Sequence, residues 1–122
     1  MTKKNSIEYA IEKAKELPWC KGEQRFYCMI LDKRGKVLST GYNSYTKTSP
    51  KMLMYAMELG NTDKVFWHSE CNALSKLPKE SKPYKIIIAR ITPGGNVGLA
   101  QPCPICMNAI KKSGIQIIEH TT

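Results

Sequence analysis

The first stretch of the chain carries apolar residues at helical spacing. These residues are Ile7, Ala10, Ile11, Ala14 and Leu17. They recur every three or four positions, which is the period of an amphipathic helix with one buried face. Asn5 and Glu8 match a capping box at the start of this segment, and Pro18 stops it. The pattern therefore predicts a first helix that ends before residue 18.

Short apolar runs bounded by turn residues predict the strands. Residues 26–31 form one such run, residues 32–35 (Asp-Lys-Arg-Gly) are typical of a turn, and residues 36–42 supply the partner strand of a hairpin. Residues 85–91 are apolar almost throughout, which is typical of a strand buried on both faces. Residues 115–119 are predicted to form the last strand.

Three more helices are predicted between the strands. One spans residues 50–59, one begins near Trp67 or His68 and ends before Pro78, and one begins around Cys103 and ends at Gly114. Residues 93–101 form a loop or an extra hairpin. This order of elements predicts one domain over residues 1–122 with a three-layer α/β fold, in which helices on both faces cover a mixed sheet of four or five strands.

Composition narrows the setting in which the protein works. The chain is 42% hydrophobic and 24% charged, which is ordinary for a globular protein. No stretch of 18 or more apolar residues is present, and the Lys-rich start lacks the apolar run of a signal peptide, so we expect a soluble, cytoplasmic protein without a membrane partner. The net charge of +9 favours an anionic partner, a nucleotide or a nucleic acid. The basic residues are scattered along the chain, however, so a solvated surface that binds no anionic partner is an equal alternative.

Two short motifs carry candidate chemistry: His68-Ser69-Glu70 and Pro102-Cys103-Pro104-Ile105-Cys106. Together they supply three zinc ligands and one spare carboxylate. A closed structural zinc site takes four protein ligands, whereas a catalytic site takes three and leaves a position for water. Five cysteines, an odd number, favour thiolate ligands and free thiols over a disulfide framework in an intracellular chain.

The spacing within each motif suits a shared site at two helix N-termini. His68 and Glu70 would both reach a point in front of the first turn of their helix, because side chains lean toward the N-terminus. Cys103 and Cys106, three positions apart, would converge on one face of the next helix. Taken alone, each motif has other interpretations: Cys-x-x-Cys also occurs as a structural zinc knuckle or a redox pair, and His-x-Glu is weak by itself. Cys71 is predicted to be a buried thiol rather than a ligand.

Taken together, the two motifs resemble the cytidine/deoxycytidylate deaminase superfamily, whose zinc deaminases combine H-x-E with P-C-x-x-C. The run from His68 to Leu74, His-Ser-Glu-Cys-Asn-Ala-Leu, is similar to the H-A-E-x-N-A-[IL] run typical of deoxycytidylate deaminases, with serine in place of the usual alanine. Gly41-Tyr42-Asn43 resembles their G-Y-N at the end of the second strand. Residues 93–101 are longer than the usual connection to P-C-x-x-C.

The resemblance implies a cytidine-deaminase-like fold and a site built around Zn²⁺. The implied zinc ligands are His68, Cys103 and Cys106, the implied proton shuttle is Glu70, and the implied substrate-contacting amide is Asn43. Relatives in this superfamily form dimers, tetramers or hexamers, so a homo-oligomer is expected.

Three functions follow as hypotheses. The first is hydrolytic conversion of cytosine to uracil in a free nucleoside or nucleotide, cytidylate or deoxycytidylate in particular. The second is editing of single-stranded DNA or RNA, or of tRNA, which the net charge favours and the small size disfavours. The third is a non-catalytic, zinc-folded binding protein. Glu70 separates the enzymes from the third hypothesis, because a structural zinc site has no need of a spare carboxylate.

Overall fold

Five β-strands form one mixed sheet in the part of the chain that the structure describes, and three helices pack against it. The structure is a computed structural model, and it describes residues 4–17, 24–43 and 69–122. The strands are β1 (Arg25–Leu31), β2 (Val37–Tyr42), β3 (Lys85–Ile91), β4 (Val97–Gly98) and β5 (Ile117–His120). The helices are α1 (Ile7–Glu16), α2 (Ser69–Ser75) and α3 (Pro104–Lys112). The predicted helix at residues 50–59 lies outside the described residues.

The central strands of the sheet are β1 and β3. β1 is antiparallel to β2 on one side and to β3 on the other, so that Cys28 faces Gly41 and Ile88. β3 pairs along its other edge first with β5, in parallel, and then with β4, antiparallel. One mixed sheet therefore holds the strands that precede and follow the candidate motifs.

Alternating side chains of the central strands produce two separate cores, one on each face of the sheet. The face that packs against α1 contains Ala10, Ala14, Met29, Leu31, Ile87, Ala89 and Ile91. The opposite face packs against α2 and α3, and includes Cys28, Ile30, Cys71, Ile86, Ile88, Cys106 and Ile110. Helices on both faces of a mixed sheet confirm the predicted three-layer α/β fold.

The start of α1 corrects the predicted capping residue. The N-cap is Ser6, whose Oγ accepts a hydrogen bond from Tyr9 N at 3.3 Å. Asn5 instead donates from Nδ2 to the carbonyl of Gly35 at 3.1 Å, and so joins the start of α1 to the β1–β2 turn. Both residues have capping side chains, and the prediction was wrong because a tertiary contact uses Asn5.

The β1–β2 hairpin forms as predicted. The carboxylate of Asp32 accepts hydrogen bonds from the backbone N–H groups of Arg34 and Lys36, each at 2.9 Å. Gly35 has a φ of 87°, in the left-handed region that glycine adopts without a steric penalty. The turn is therefore fixed by one acidic side chain and one glycine.

The sequence predicted either a loop or an extra hairpin at residues 93–101, and the structure contains a hairpin there. Thr92 N donates to Asn96 O at 2.8 Å, and β4 returns along the end of β3. Thr121 directly follows β5 and bonds to both β3 and β4. Its backbone N donates to Ile88 O at 3.0 Å, and its Oγ1 donates to Gly98 O at 2.6 Å. The segment that leads into Cys103 is thus attached to the sheet.

Gly41, near the end of β2, lies against the backbone of α2. A Cβ built on Gly41 would be 2.5 Å from both Ser69 O and Ala73 N. Those two atoms are four residues apart, as are the two ends of a helical hydrogen bond. Only a glycine lets the first turn of α2 approach the strand so closely, and this contact fixes where that turn lies.

Candidate metal and catalytic centre

The described members of the two motifs lie at the first turns of α2 and α3. Glu70 is in the first turn of α2, Cys103 is the N-cap of α3, and Cys106 follows inside that helix. Both helices pack on the same face of the sheet, where Cys71 and Cys106 belong to one core. His68, the predicted imidazole ligand, lies outside the described residues. The structure therefore brings together the predicted carboxylate and the two predicted thiol ligands.

The start of α3 is defined by backbone geometry. Cys103 has an extended conformation (φ −69°, ψ 166°), and Pro104 occupies the first helical turn. Proline suits this position, because the N–H that it lacks would have no partner within the helix. Met107 N donates to Cys103 O at 2.8 Å, whereas the Cys103 side chain makes no capping hydrogen bond. Its thiol, half-buried, hydrogen-bonds to that of Cys106 instead.

Cys106 lies at the centre of a buried group of sulfur atoms. Its Sγ is 3.2 Å from Sγ of Cys71, and both side chains are fully buried. The pKa of the Cys106 thiol lies well above its ordinary value, because hydrogen bonds with Cys103 and Cys71, then burial, and then the negative charge of Glu70 favour the protonated form. Three thiols and a carboxylate therefore lie close together in a site with little access to water.

Glu70 is a buried carboxylate with a local hydrogen-bond donor. The residue is 5% exposed, and its Oε1 accepts a hydrogen bond from Ser69 Oγ at 2.5 Å. Its charge also contributes to the raised pKa of Cys28, for which burial is the larger cause. A buried carboxylate beside thiols has the chemistry of a proton acceptor and donor.

Cys103 and Cys106 offer the soft thiolate sulfur that zinc prefers, although the described residues by themselves do not complete a metal site. Without a cation, the carboxylate and neighbouring thiols keep Cys106 protonated, whereas a bound Zn²⁺ favours thiolates. Among residues 4–17, 24–43 and 69–122, no three His, Cys, Asp or Glu side chains form a group that could hold a metal ion. The predicted trio is not tested by that result, because His68 is outside those ranges.

Asn43 follows β2 and holds the start of β1. Its Oδ1 accepts from Phe26 N at 3.0 Å, and its Nδ2 donates to Gln24 O at 3.1 Å. A side-chain amide has two N–H donors and two acceptor lone pairs, so these two bonds leave one of each. Asn43 lies at the end of β2, as the sequence motif predicts, and its bonds to the backbone show a structural role.

Further contacts in this region have no clear signal in the sequence. Ser39 Oγ donates to Ala73 O at 2.8 Å and Asn72 Nδ2 donates to Tyr42 O at 3.0 Å, so two polar side chains fasten α2 to β2. Ser69 could be recognised as a small residue in the motif, but nothing in the sequence shows that its hydroxyl reaches the adjacent carboxylate.

Arg90 connects the hairpin before Cys103 to the start of β1. Its Nε donates to Gln24 Oε1 at 2.8 Å, and one terminal nitrogen donates to Leu99 O at 3.0 Å. Its guanidinium carbon lies 5.8 Å from the centre of the Phe26 ring. No local pattern in the sequence indicates this role of Arg90, because its partners are 66 and 9 positions away along the chain. These bonds hold the segment that leads into the cysteine motif.

Comparisons with known proteins give the family of the chain and support its fold. Residues 1–120 match the family described as the cytidine and deoxycytidylate deaminase zinc-binding region. Among solved structures, the cytidine deaminase from Mycobacterium tuberculosis matches with a TM-score of 0.55 and 17% identity, over 93% of this chain and 80% of that one. A point mutant of the cytidine deaminase from the same organism matches with a TM-score of 0.54 and 18% identity, over 93% and 81%. No curated protein sequence matches the chain. At these identities, the two structures support the fold alone.

Proposed function

The chain belongs to the cytidine and deoxycytidylate deaminase zinc-binding family, and from this premise we propose that it is a zinc-dependent hydrolase converting cytosine to uracil in a free nucleoside or nucleotide. The observation that carries the proposal is the position of Glu70. It is a buried carboxylate beside the thiols of the Cys-x-x-Cys motif, where a purely structural zinc site would need no acid.

The proposed zinc ligands are His68, Cys103 and Cys106. When bound, zinc supplies a Lewis acid that activates water for attack on the ring carbon bearing the amino group. Three protein ligands leave the fourth position accessible, in keeping with a hydrolytic site. Of the two proposed thiol ligands, Cys103 is half-buried and Cys106 is fully buried, so a metal held by both would lie at the edge of the core.

Glu70 is proposed to carry the protons of the reaction. Its carboxylate accepts a proton from the attacking water, delivers one to the ring nitrogen of cytosine, and assists departure of ammonia. The Ser69 hydroxyl donates to Oε1 and restricts the orientation of the carboxylate. Burial keeps bulk water from competing with the substrate for the same oxygen atoms.

Asn43 is proposed to bind the substrate with the one N–H and the one lone pair that its side-chain bonds to described residues leave over. Because the amide is held by Gln24 O and Phe26 N, it is already oriented before the substrate arrives. Fixing a binding group in advance reduces the entropy lost on association. The amide thus combines a structural and a binding role.

The first experiment is a deamination screen of zinc-loaded protein. Cytidine, deoxycytidine, their 5′-monophosphates and single-stranded oligonucleotides are each incubated with the protein, and ammonia and uracil products are measured. We expect activity on a free nucleoside or nucleotide. Activity confined to oligonucleotides would support the polynucleotide-editing alternative that the net charge of +9 favours. Absence of activity on every substrate would support a non-catalytic zinc-binding protein.

The second experiment tests Glu70. Glu70→Gln keeps the size of the side chain and its hydrogen bond from Ser69, but it cannot carry protons. We expect it to fold, retain zinc and bind substrate, and to lose about 10²–10⁴-fold in kcat. Glu80→Gln is the matched control, because Glu80 is exposed and lies outside the site. Comparable turnover by Glu70→Gln and wild type would show that the proposed mechanism is wrong.

The metal assignment has its own test, by metal analysis of purified variants. Cys106→Ala should lose zinc and stability, because metal binding by protein ligands contributes to folding. Cys28→Ala removes an equally buried thiol and should keep its zinc. Full zinc occupancy in Cys106→Ala would refute the ligand set.

Assembly and location are also proposals. The described part of the chain contains no helix that is both long and apolar enough to cross a membrane. We propose a cytoplasmic homo-oligomer, and sedimentation equilibrium at several protein concentrations would measure the oligomeric state.

A further inference from the structure

We propose that Cys71 is a positioning residue for the metal-binding thiolate of Cys106. The proposal rests on the function proposed above, in which Cys106 is a zinc ligand. It starts from one contact: Sγ of Cys71 lies 3.2 Å from Sγ of Cys106. The two residues come from different helices, α2 and α3, so the contact also links the carboxylate-bearing helix to the cysteine-bearing helix.

The chemistry of a bound metal fixes the direction of this hydrogen bond. In the protein without metal, either sulfur can be the donor. A zinc-bound Cys106 has no proton, because the ligand is the thiolate. The S–H of Cys71 is then the donor and the Cys106 thiolate the acceptor. Such a bond orients the ligand and takes up part of its charge, as hydrogen bonds to metal ligands commonly do.

Burial makes this donor hard to replace. Cys71 and Cys106 both have 0% exposure, so a water molecule has no access to the sulfur of Cys106 from that side. A fourth protein ligand would close the position that a hydrolytic site keeps for water, which argues that Cys71 acts on the ligand and not on the metal. Loss of the S–H group would remove one hydrogen bond to the sulfur of Cys106.

Cys28 provides the matched control. It is also fully buried, it belongs to the same core as Cys71 and Cys106, and its thiol makes no hydrogen bond with a residue in the described part of the chain. Cys28→Ala and Cys71→Ala therefore remove the same atoms from the same core, and only the second removes a donor to Cys106. The comparison separates loss of packing from loss of the hydrogen bond.

The experiment measures zinc affinity by competition with a chromophoric chelator for wild type, Cys71→Ala, Cys71→Ser and Cys28→Ala. We expect Cys71→Ala to bind zinc about 10- to 100-fold more weakly than wild type. Cys71→Ser, which retains a donor, should recover much of this loss, and Cys28→Ala should match wild type. Thermal unfolding of the metal-free proteins checks that the two alanine variants are similarly folded.

Cobalt substitution supplies a second measurement that does not depend on activity. The intensity of the thiolate-to-cobalt charge-transfer band reports the number of thiolate ligands. We expect the same intensity in wild type and Cys71→Ala, with a shift in band position. A loss of intensity equal to one ligand would show that Cys71 binds the metal directly and would overturn the proposal.

Two other outcomes also overturn the proposal. Equal zinc affinities in Cys71→Ala and Cys28→Ala would show that Cys71 contributes only packing. The proposed function would still stand in that case if wild type binds zinc and deaminates its substrate. Wild-type protein that binds no zinc would overturn both the proposed function and this inference.

Discussion

Replacing Gly41 by alanine should disturb the site through the backbone of α2. The added Cβ would lie 2.5 Å from Ser69 O and Ala73 N, about 0.9 Å closer than the 3.4 Å at which ordinary contact begins. Both atoms belong to the helix backbone, so no side-chain rotation relieves the clash. The strand and the helix must separate, and overpacking of this kind costs about 2–3 kcal/mol, equivalent to roughly 10 °C in Tm.

The same displacement should lower activity, because Glu70, the proposed proton carrier, lies in the turn that moves. A shift approaching 1 Å in a catalytic group reduces turnover by about 10²-fold. We therefore expect Gly41→Ala to lose both stability and kcat/KM on the substrate that the screen identifies. Zinc affinity should fall as well, because Cys71, the proposed donor to the Cys106 thiolate, lies on the helix that moves.

The assay compares thermal unfolding, zinc content and steady-state kinetics for wild type, Gly41→Ala and Gly94→Ala. Gly94 is the control, because a Cβ there would meet its nearest neighbours, Asn96 Nδ2 and Thr92 Oγ1, at 3.7 and 3.9 Å, which is ordinary contact. Gly94→Ala should match wild type in all three measurements. Wild-type stability and turnover in Gly41→Ala would show that the tight contact between β2 and α2 does not position the site.

Three further predictions concern residues around the centre. Asn43→Ala should raise KM and lower stability by about 1–2 kcal/mol, because Phe26 N loses its acceptor; a variant with full zinc content but wild-type KM would remove Asn43 from substrate binding. Ser69→Ala should lower kcat by about 10-fold at unchanged zinc content, because the carboxylate of Glu70 loses a hydrogen-bond donor. An unaltered kcat in a deamination assay would show that Ser69 does not orient Glu70. Cys28 should resist iodoacetamide at pH 8 until the protein is denatured, because burial raises the pKa of its thiol well above the ordinary value of 9.0 and the thiol form is unreactive; mass spectrometry of labelled native protein would reveal any exception.

The sequence predicted the elements whose signals are local. The run at residues 85–91 became β3 with the same bounds, and the turn at residues 32–35 formed around Asp32 and Gly35. Pro104 correctly indicated the start of α3. In each case the sequence signal lies within a few consecutive residues, even though β3 itself pairs with strands that are distant along the chain.

The interactions that shape the centre are long-range, and the sequence did not reveal them. Asn5 was predicted to cap α1, but its side chain bonds to Gly35, 30 positions away. The contact of Cys71 with Cys106 spans 35 positions, and nothing in Cys-x-x-Cys indicates that a third thiol adjoins it. Glu70, Cys103 and Cys106 were predicted from the motifs and lie on the two expected helices; the roles assigned to them, and to His68, are still predictions.

The hydrogen bonds of Thr121 affect how the sheet can pair with strands of other molecules. An incoming strand needs a regular row of unpaired N–H and C=O groups, and protein edges avoid unwanted pairing by being short or interrupted. The edge of β3 that faces away from β1 is covered by two short strands, β5 with four residues and β4 with two. Between them, Thr121 bonds to Ile88 O through its backbone N–H and to Gly98 O through its hydroxyl. β2 is longer, with six residues, and among the described strands no partner lies on its outer side. Strand addition, in a crystal or an aggregate, should therefore begin at β2.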